Sequence, residues 1–441
     1  MRKLYSCLLL VLMACSSPKS NDSEIEKGFI KVNNTSFEID GKPYYYLGTN
    51  FWYGLNLGSN GEGGDRERLI RELDRLKSMG VNNLRVMAGS EGPDNEPWRM
   101  LPSLQTSPGK YNEEVLEGLD FLLNEMKKRD MYAVMCLNNF WPWSGGMGQY
   151  LVWAGAADSI PYPPPHPGGD WHKYAVFTAK FYSNKKATDM FDDHIRFMVN
   201  RKNAYSNLLY KDDPTIMSWQ LANEPRGTEN TADFKQWIDN TSALIKSLDP
   251  NHLVTTGSEG STPSEQSSGT NPIRDHNSEN IDYATFHIWV QNWEIYNPEK
   301  SEETYPKAVK YAADYIQKHV EDAKKLNKPI VLEEFGISRD ANSHDASSTT
   351  EIRDKYYREI FEMVYNNAKE PDNPLSGVNF WAWGGEGRPS SPHSVWKLGD
   401  DFIGDPPHEY QGWYSVYETD SSTISVIKEF AEKMNGLGKE K

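Results

Sequence analysis

The chain has 441 residues, with 47 Lys and Arg against 63 Asp and Glu, so its formal net charge is −16. This negative balance argues against nucleic acid or an anionic membrane surface as a partner, because phosphate contacts need clustered Lys and Arg. Aromatic residues make up 12% of the chain and include 14 Trp and 24 Tyr, whose flat faces and polar groups suit stacking on neutral sugar rings.

The first residues predict an export signal. Two basic residues precede an apolar run from Leu4 to Met13, which is too short for a transmembrane helix of about twenty residues. The run ends in Leu-Met-Ala-Cys15, which resembles the bacterial lipobox. That resemblance implies that Cys15 carries lipid and becomes the new N-terminus, whereas an ordinary secretory signal would leave the cysteine incidental.

We therefore expect an exported protein that is anchored by lipid to a bacterial membrane, with the side of the membrane left open. The polar residues after Cys15 are typical of a flexible tether. The predicted division of the chain is a lipoprotein signal peptide at 1–14, a flexible tether at 15–27 and one folded domain at 28–441.

Beyond the tether, short β-branched or aromatic runs alternate with longer helical patterns, which predicts βαβ units and a parallel sheet. The predicted strands are Tyr44–Trp52, Asn83–Ala88, Tyr132–Asn139, Ile216–Ala222, Leu253–Ser258, Tyr283–Trp289, Pro329–Glu334 and Val378–Trp383. The predicted helices are Arg66–Met79, Glu113–Arg129, Lys186–Asn200, Ala232–Leu248, Tyr305–Leu326, Ile352–Asn366 and Ile424–Met434.

Eight such strands are the number found in a single (β/α)8 TIM barrel of the α/β class. A doubly wound open sheet is the alternative, but no G-x-G-x-x-G follows the first strand. A short hairpin at Gly28–Asp40 is expected to precede the barrel and close its bottom. A long loop rich in proline and aromatic residues, Phe140–Trp171, follows the third strand.

Active residues of a barrel collect at the C-terminal ends of its strands, and polar and aromatic side chains collect there in this sequence. A single Arg or Glu at a strand end is ordinarily a solvated or ion-paired charge with no catalytic role. Carboxylates at the ends of strands four and seven, however, would face each other across the mouth, as glycoside hydrolysis requires. The residues so placed are Arg85, Asn138, Asn139, Asn223, Glu224, His287, Glu333, Glu334, Trp381 and Trp383.

Two motifs carry a family resemblance. Residues 219–226 (WQLANEPR) resemble the W-x-L-x-N-E-P signature of clan A glycoside hydrolases, and residues 332–336 (LEEFG) resemble the E-[FYW]-G nucleophile signature of glycoside hydrolase family 5. Residues 287–293 (HIWVQNW) and 379–385 (NFWAWGG) resemble the mannan-cleaving branch of that family. The resemblance covers essentially the whole chain after the predicted signal, and the two signatures together are far more specific than either tripeptide alone.

The resemblance implies a retaining mechanism. Glu224 would be the general acid and then the base, and Glu334 the nucleophile, with their carboxyl groups about 5–5.5 Å apart. Glu224 must then hold a proton while Glu334 stays ionised. Adjacent strand residues point to opposite faces, and the family pattern selects Glu334, which makes Glu333 an ion-pair partner behind the site.

Further roles follow from the resemblance alone. Arg85 would hydrogen-bond Glu334, Asn223 would donate to the sugar 2-hydroxyl, His287 would contact the sugar or the surroundings of the nucleophile, and Trp381 would stack beneath the sugar. Arg226 would bind a leaving-side sugar or pair with an acidic loop. Trp289 stands where many family members carry a Tyr, and an indole cannot reproduce the geometry of a phenol. Other tryptophans that could form sugar subsites or ordinary packing are Trp52, Trp141, Trp143, Trp153, Trp293 and Trp383.

The predicted function is that of an endo-β-1,4-mannanase acting on β-mannan or mannooligosaccharides. An exo-acting β-mannosidase is the first alternative, because the Phe140–Trp171 loop could wall off one end of the cleft. A β-1,4-glucanase and a non-catalytic glycan-binding lipoprotein follow. We expect no cofactor and no metal, since H-E-x-x-H, G-K-[ST] and G-x-S-x-G patterns are all missing from the sequence.

Overall fold

The computed structural model describes residues 28–440. The predicted signal peptide, the tether and Cys15 therefore lie outside the described residues. Among the helices from residue 28 onward, none combines the length and apolar character that a bilayer crossing requires.

Within residues 28–440, eight parallel strands form one sheet: β1 (Tyr46–Asn50), β2 (Asn83–Met87), β3 (Tyr132–Cys136), β4 (Ile216–Gln220), β5 (Leu253–Thr255), β6 (Ala284–Ile288), β7 (Ile330–Phe335) and β8 (Leu375–Phe380). Their order in the sheet is β5-β4-β3-β2-β1-β8-β7-β6. The main-chain N–H of Asp282 donates to the Val254 carbonyl at 2.8 Å, and the Thr255 hydroxyl donates to the Tyr283 carbonyl at 2.9 Å. These bonds close the gap between β5 and β6, so the predicted (β/α)8 barrel is confirmed.

In the described part of the chain, seven long helices surround the sheet, and their apolar faces are buried against it. The first begins after Asp65, whose side chain accepts a hydrogen bond from the Arg68 main-chain N–H, as N-cap residues do. The fifth unit has only two short helices, Glu265–Ser268 and Pro272–His276. The long helices are α1 (Arg66–Ser78), α2 (Glu113–Lys127), α3 (Lys185–Val199), α4 (Thr231–Leu248), α5 (Ser301–Leu326), α6 (Glu351–Ala368) and α7 (Ser421–Glu440).

The N-terminal element is a three-stranded antiparallel sheet of Lys31–Asn33, Ser36–Ile39 and Lys42–Tyr44. The prediction was wrong in assigning Tyr44 to the first barrel strand, because an unbroken aromatic run hides the chain's change of direction. Phe37 packs edge-on against Tyr283 of the barrel interior, with ring centroids 5.3 Å apart. The small sheet therefore closes the N-terminal end of the barrel, as expected of the hairpin.

Two long segments rise from the C-terminal ends of the strands and frame the cleft. We call residues 140–184, between β3 and α3, the first cleft segment, and residues 384–420, between β8 and α7, the second cleft segment. The first contains helix Gly146–Trp153 inside the loop that the sequence predicted, and helix Trp171–Thr178, which begins where that predicted loop ends. Helix Gly146–Trp153 was missed because most of its residues are buried, so it shows no amphipathic pattern. Other short elements are Gly54–Leu57, Gln105–Ser107, Lys110–Tyr111, Trp383–Gly385 and Val416–Tyr417.

Candidate active site

A cleft of about 650 Å³ opens at the C-terminal ends of the barrel strands. Its position is the one that the fold assigns to catalysis. Most of the predicted site residues line it, while Arg85 and His287 lie buried directly beneath. The predicted residues that line the cleft are Trp141, Asn223, Glu224, Arg226, Trp289, Glu334 and Trp381.

Glu224, Glu334 and His287 form a buried cluster at the base of the cleft. The Nδ1 atom of His287 lies 2.7 Å from Oε1 of Glu224 and 3.3 Å from Oε2 of Glu334. One oxygen of each carboxylate and a ring nitrogen all lie within 4.8 Å of one another. This closeness fits the carboxyl pair of a retaining glycosidase, whose carboxyl groups lie about 5–5.5 Å apart.

Glu224 is held by contacts from three sides. Besides His287, the indole N–H of Trp141 donates to Oε2 of Glu224 at 2.5 Å, and the Glu224 main-chain N–H donates to the Gly257 carbonyl at 3.0 Å. The φ angle of Glu224 is +49°, a left-handed conformation that costs a non-glycine residue free energy and is concentrated at functional sites. The local fold thus aims this carboxylate into the cleft.

Arg85 holds Glu334 from below. Its guanidinium donates to the Glu334 carboxylate, to Oδ1 of Asn223 at 2.8 Å, to Oδ1 of Asn50 at 3.0 Å and to Oε1 of Gln220 at 2.8 Å. The predicted contact between Arg85 and Glu334 is therefore present. Because every branch of the guanidinium has a partner, its orientation is fixed.

Glu333 lies behind the site, as predicted. Its Oε2 accepts a hydrogen bond from Gln220 at 2.6 Å and lies 3.8 Å from Nε of Arg85. Glu334, by contrast, lines the cleft. The alternation of side chains along β7 thus separates the two neighbouring carboxylates.

The pKa values of the two carboxyl groups stand in the opposite order to the expected one. Burial raises the pKa of Glu334 to about 7, against the charges of His287 and Arg85. Burial also favours the neutral form of Glu224, but the hydrogen bond and charge of His287 outweigh it and lower the pKa of Glu224 to about 2. Burial disfavours the His287 imidazolium, yet Glu334 and Glu224 raise the pKa of His287 to about 10. The proton expected on Glu224 therefore rests on His287, because imidazole is the more basic partner.

Arg226 forms the salt bridge that the sequence left open as an alternative. It donates through two nitrogens to Glu259, with Nη2 and Oε1 2.8 Å apart, and its guanidinium lies 4.9 Å above the Trp141 ring. Trp141 thus contacts Glu224 through its N–H and Arg226 through one face. Glu259 was missed by the sequence analysis, although it directly follows the predicted fifth strand.

The predicted sugar-stacking tryptophans occupy different places. Trp381 and Trp289 meet edge-on in the cleft, with ring centroids 5.9 Å apart. Trp52 is only 3% exposed, donates to the Gly404 carbonyl at 2.9 Å and packs against Trp143, so it borders a small space behind Trp381 rather than the open cleft. Trp143 and Trp293 line the cleft.

Asn223 keeps capacity for a ligand. Its Oδ1 accepts from Arg85, and its Nδ2 donates to Oδ1 of Asn139 at 3.1 Å. An amide nitrogen has two hydrogens, so one N–H of Asn223 is left for the cleft, as its predicted role requires.

Both cleft segments add residues that the sequence analysis did not single out. Neither segment carries a motif, and their positions depend on the path of the chain above the barrel. The first segment adds Pro164, Pro165 and Trp171, and the second adds Pro406, His408, Glu409, Tyr410 and Trp413. The loops after β5 and β6 add Glu259, Gln291, Asn292 and Glu294.

Three possible metal-ligand atoms lie close together in the site: one carboxylate oxygen each of Glu224 and Glu334, and a ring nitrogen of His287. Their contacts argue for a different use. Both carboxylates already accept hydrogen bonds, and the guanidinium of Arg85 lies against Glu334, so a metal ion would meet a fixed positive charge. The arrangement is better suited to holding and moving a proton, which glycosidic cleavage requires without a cofactor.

Comparisons with known proteins agree with this geometry. Residues 27–439 match the family model described as GH family 5 beta-mannosidase-like. A family 5 mannosidase from Rhizomucor miehei shares 42% identity at a TM-score of 0.87, covering 94% of this chain and 99% of that one. Mannan endo-1,4-beta-mannosidase 5 of Arabidopsis thaliana is 30% identical, covering 91% and 87% of the two chains. An endo-beta-1,4-mannanase from Thermotoga petrophila shares 25% identity at a TM-score of 0.67, covering 90% and 78%. The chain therefore belongs to glycoside hydrolase family 5 and is a β-mannan-cleaving glycoside hydrolase.

Proposed function

We propose that this enzyme is a retaining β-mannosidase that removes mannose from the ends of β-1,4-linked mannan chains. The observation that carries the mechanism is the buried pair of Glu224 and Glu334, whose nearest oxygens lie within 4.8 Å across the mouth of the barrel. That separation favours direct attack by one carboxylate, with no water between the two.

In the first step, a carboxylate oxygen of Glu334 bonds to the anomeric carbon while the bond to the leaving oxygen breaks. Glu224 gives its proton to that oxygen, and a glycosyl ester forms on Glu334. In the second step, water attacks the anomeric carbon, Glu224 takes the water proton, and Glu334 leaves as a carboxylate. Two inversions give net retention.

His287 supplies the proton that Glu224 needs. Transfer from Nδ1 of His287 to Oε1 of Glu224 along the 2.7 Å hydrogen bond produces a neutral acid and leaves the total proton count unchanged. A sugar in the cleft displaces water and reduces the solvation of the charged pair. Loss of that solvation favours the neutral tautomer, which is the reactive one.

Side chains in the cleft and the substrate complex of a similar enzyme both support mannose as the sugar that is bound. Trp381 presents an aromatic ring in the cleft, and Asn223 has an N–H available for the 2-hydroxyl group, which is axial in mannose. A mutant of the Rhizomucor miehei mannosidase has been solved in complex with mannosyl-fructose. A mannooligosaccharide is therefore the substrate that we propose.

The two cleft segments support action at chain ends. Trp171 of the first segment and His408 of the second meet with ring centroids 6.1 Å apart, and Pro164 and Pro165 extend the wall. Segments that meet across a cleft obstruct a long polymer that would lie through it. The high similarity to a family 5 mannosidase along almost its whole length supports the same choice.

Endo-acting mannanase activity is the second candidate. It is favoured by the names of the curated relatives, which share 27–30% identity with this chain and are named mannan endo-1,4-beta-mannosidases. A polymer could then enter wherever the segments leave the cleft open.

Product analysis distinguishes the candidates. Purified enzyme would be incubated with mannohexaose, linear mannan, galactomannan and cellulose, and products would be separated over time. We expect mannose as the main early product while the viscosity of galactomannan barely falls. Mixed oligosaccharides with a rapid fall in viscosity would instead establish endo action, and hydrolysis of cellulose alone would contradict the mannan assignment.

We also propose, from the N-terminal sequence, that the protein is exported and anchored by lipid on Cys15. The apolar run and the Leu-Met-Ala-Cys15 sequence support this assignment. A Cys15→Ser variant expressed in a bacterial host should move from the membrane to the soluble fraction and lose labelling by a fatty acid. Equal labelling of both proteins would contradict it.

A further inference from the structure

His287 has a second ring nitrogen, which points into the barrel interior towards Glu333. Its Nε2 atom lies 3.9 Å from Oε2 of Glu333, slightly beyond hydrogen-bond distance. Within residues 28–440, neither Nε2 of His287 nor Oε1 of Glu333 has a hydrogen-bond partner. Both side chains are buried. The imidazole therefore lies between two carboxylates, with Glu224 at Nδ1 and Glu333 at Nε2.

The position of Glu333 is fixed by residues on two other strands. Gln220 donates to Oε2 of Glu333 at 2.6 Å and accepts from Nε of Arg85 at 2.8 Å. The same Nε atom of Arg85 lies 3.8 Å from Oε2 of Glu333. A donor and a cation thus surround this oxygen, which are the surroundings that suit a carboxylate.

Other titratable groups near the pair do not cancel its charge. Three of them face Glu333, and burial raises the pKa of each, so they are uncharged at neutral pH. Glu259, beyond β5, senses the charge of His287 but is paired with Arg226. Burial itself lowers the pKa of His287, whereas Glu334, Glu224 and Glu333 raise it. The three uncharged groups belong to Tyr46, Cys136 and Tyr283.

The place of Glu333 bears on which nitrogen of His287 keeps a hydrogen. A neutral imidazole carries one hydrogen, on either nitrogen. Glu224 becomes a neutral acid only when Nδ1 has given up its proton, so the remaining hydrogen must then lie on Nε2. A carboxylate facing Nε2 favours that tautomer, as the acidic partner of a catalytic histidine does.

We propose that Glu333 is a positioning residue that keeps a hydrogen on Nε2 of His287, so that only the Nδ1 proton moves to and from Glu224. This role rests on the proposed mechanism and acts entirely through His287. During cleavage the proton passes from Nδ1 to Oε1 of Glu224 and then to the leaving oxygen, while the Nε2–H bond stays intact. The proton that Glu224 later takes from water returns to Nδ1, so the proton count closes over one turnover.

The test compares Glu333→Gln with wild type on two substrates that share a sugar and differ in the leaving group. The phenolate of phenyl β-D-mannopyranoside needs a proton to leave, whereas that of 2,4-dinitrophenyl β-D-mannopyranoside does not. We expect kcat/KM to fall about tenfold or more on the phenyl mannoside and less than about threefold on the dinitrophenyl mannoside. Glu418→Gln is the matched control, because Glu418 pairs with Arg388 at 2.9 Å outside the cleft, and it should leave both values unchanged.

The two leaving groups separate this role from a structural one. Glu333 also lies near Arg85, which holds the nucleophile Glu334. A displaced nucleophile would slow both substrates alike, because Glu334 attacks the sugar in both reactions. An equal loss on the two substrates would therefore overturn the proposal, and so would a Glu333→Gln enzyme within twofold of wild type on both.

The pH profile gives a second readout. Without the charge of Glu333, the unit of His287 and Glu224 holds its proton less tightly. The alkaline limb of kcat/KM for the phenyl mannoside should therefore move to lower pH by about one unit or more in Glu333→Gln. An alkaline limb that coincides with that of wild type would contradict the role.

Two further variants keep the test decisive. Glu333→Asp keeps a charge but draws it back by one methylene, so it should show the same selective loss on the phenyl mannoside to a smaller extent. It carries the test if Glu333→Gln does not fold, and an equal loss on both substrates would count against the proposal. In a His287→Asn background, Glu333→Gln should cost less than about threefold, because its route through His287 is already gone. A full additional loss would overturn the proposal.

The proposed function is judged on separate data from the same preparation. If wild-type enzyme acts on neither aryl mannoside but releases mixed oligosaccharides from mannohexaose, chain-end action fails. The same two leaving groups on mannotriose then carry the comparison for Glu333. If Glu224→Ala loses activity equally on both leaving groups, the assignment of the acid fails, and the role of Glu333 fails with it.

Discussion

The Nδ1 atom of His287 lies 2.7 Å from Oε1 of Glu224, and the same atom lies 3.3 Å from Oε2 of Glu334. One ring nitrogen therefore contacts both carboxylates of the reaction. Groups that interact so strongly gain and lose protons as a unit. In the mechanism that we propose, the reactive state of the unit holds one proton, shared between His287 and Glu224, with Glu334 ionised.

This unit predicts the pH dependence of catalysis. On the acid side, a second proton neutralises Glu334, whose pKa is about 7, and activity falls. On the alkaline side, activity falls when the shared proton is lost, which His287 delays because its pKa is about 10. In His287→Asn, Glu224 alone must keep the proton, so the alkaline limb of kcat/KM should move to lower pH by about one unit or more. Loss of the positive charge raises the pKa of Glu334, so the acid limb should move to higher pH.

The measurement is kcat/KM for p-nitrophenyl β-D-mannopyranoside from about pH 4 to 10, since this ratio reports the free enzyme. The Glu418→Gln variant should keep the wild-type profile. Limbs of His287→Asn that coincide with those of wild type would contradict the shared proton.

Replacing either catalytic carboxylate should give a distinct chemical result. Glu334→Ala should lose at least about a thousandfold in kcat, and added azide should restore turnover by forming α-mannosyl azide in a single inversion. Glu224→Ala should lose more activity on mannobiose than on p-nitrophenyl mannoside, because a phenolate leaves without a proton. Its azide product should have the β configuration. Product analysis by NMR checks both, and the same anomer from both variants would rule out the assigned roles.

Trp141 should affect the acid directly. In Trp141→Phe, the ring remains but the hydrogen bond of its N–H to Glu224 at 2.5 Å is lost. Hydrogen bonds to charged groups contribute about 1.5–3 kcal/mol, so we expect kcat to fall by about tenfold to a hundredfold. Trp153→Phe, in the same segment but outside the cleft wall, is the control. Equal kcat values for these two variants would show that the Trp141 N–H has no part in catalysis.

Asp405 should support the second cleft segment. Asp405→Ala leaves the main-chain donors of Gly412 and Tyr414 without their acceptor, so the free energy of unfolding should fall by about 2–5 kcal/mol. Because this segment presents Glu409, KM should rise as well. Urea denaturation and steady-state kinetics measure the two effects. Asp401→Ala, at an exposed position of the segment, is the control, and an unchanged KM in Asp405→Ala would separate loop support from substrate binding.

The barrel and its two catalytic candidates could be predicted from the sequence for a physical reason. Buried parallel strands are short apolar runs, and the chain places Glu224 and Glu334 directly at two of their ends. The position of a side chain at a strand end follows from the strand itself. Alternation along a strand puts Glu333 and Glu334 on opposite faces, but the family resemblance decided which of the two faces the cleft and supplied the role of Arg85.

The remainder of the site depends on long-range contacts that leave no local pattern. The hydrogen bond of Trp141 to Glu224 and the salt bridge of Arg226 to Glu259 each join residues from different barrel units. Glu409 reaches the cleft only because Asp405 and Gln411 fold the second segment back on itself. The location of the proton on His287 could not be read from motifs either, since it results from burial and the spacing of three charges.

The anomeric form of the first product tests the central account most directly. Hydrolysis of p-nitrophenyl β-D-mannopyranoside would be followed by proton NMR faster than mannose mutarotates. Two inversions through an ester on Glu334 predict β-mannose first, with the α anomer appearing only as mutarotation proceeds. α-Mannose as the first product would mean direct attack by water, and would contradict the roles given to Glu224 and Glu334.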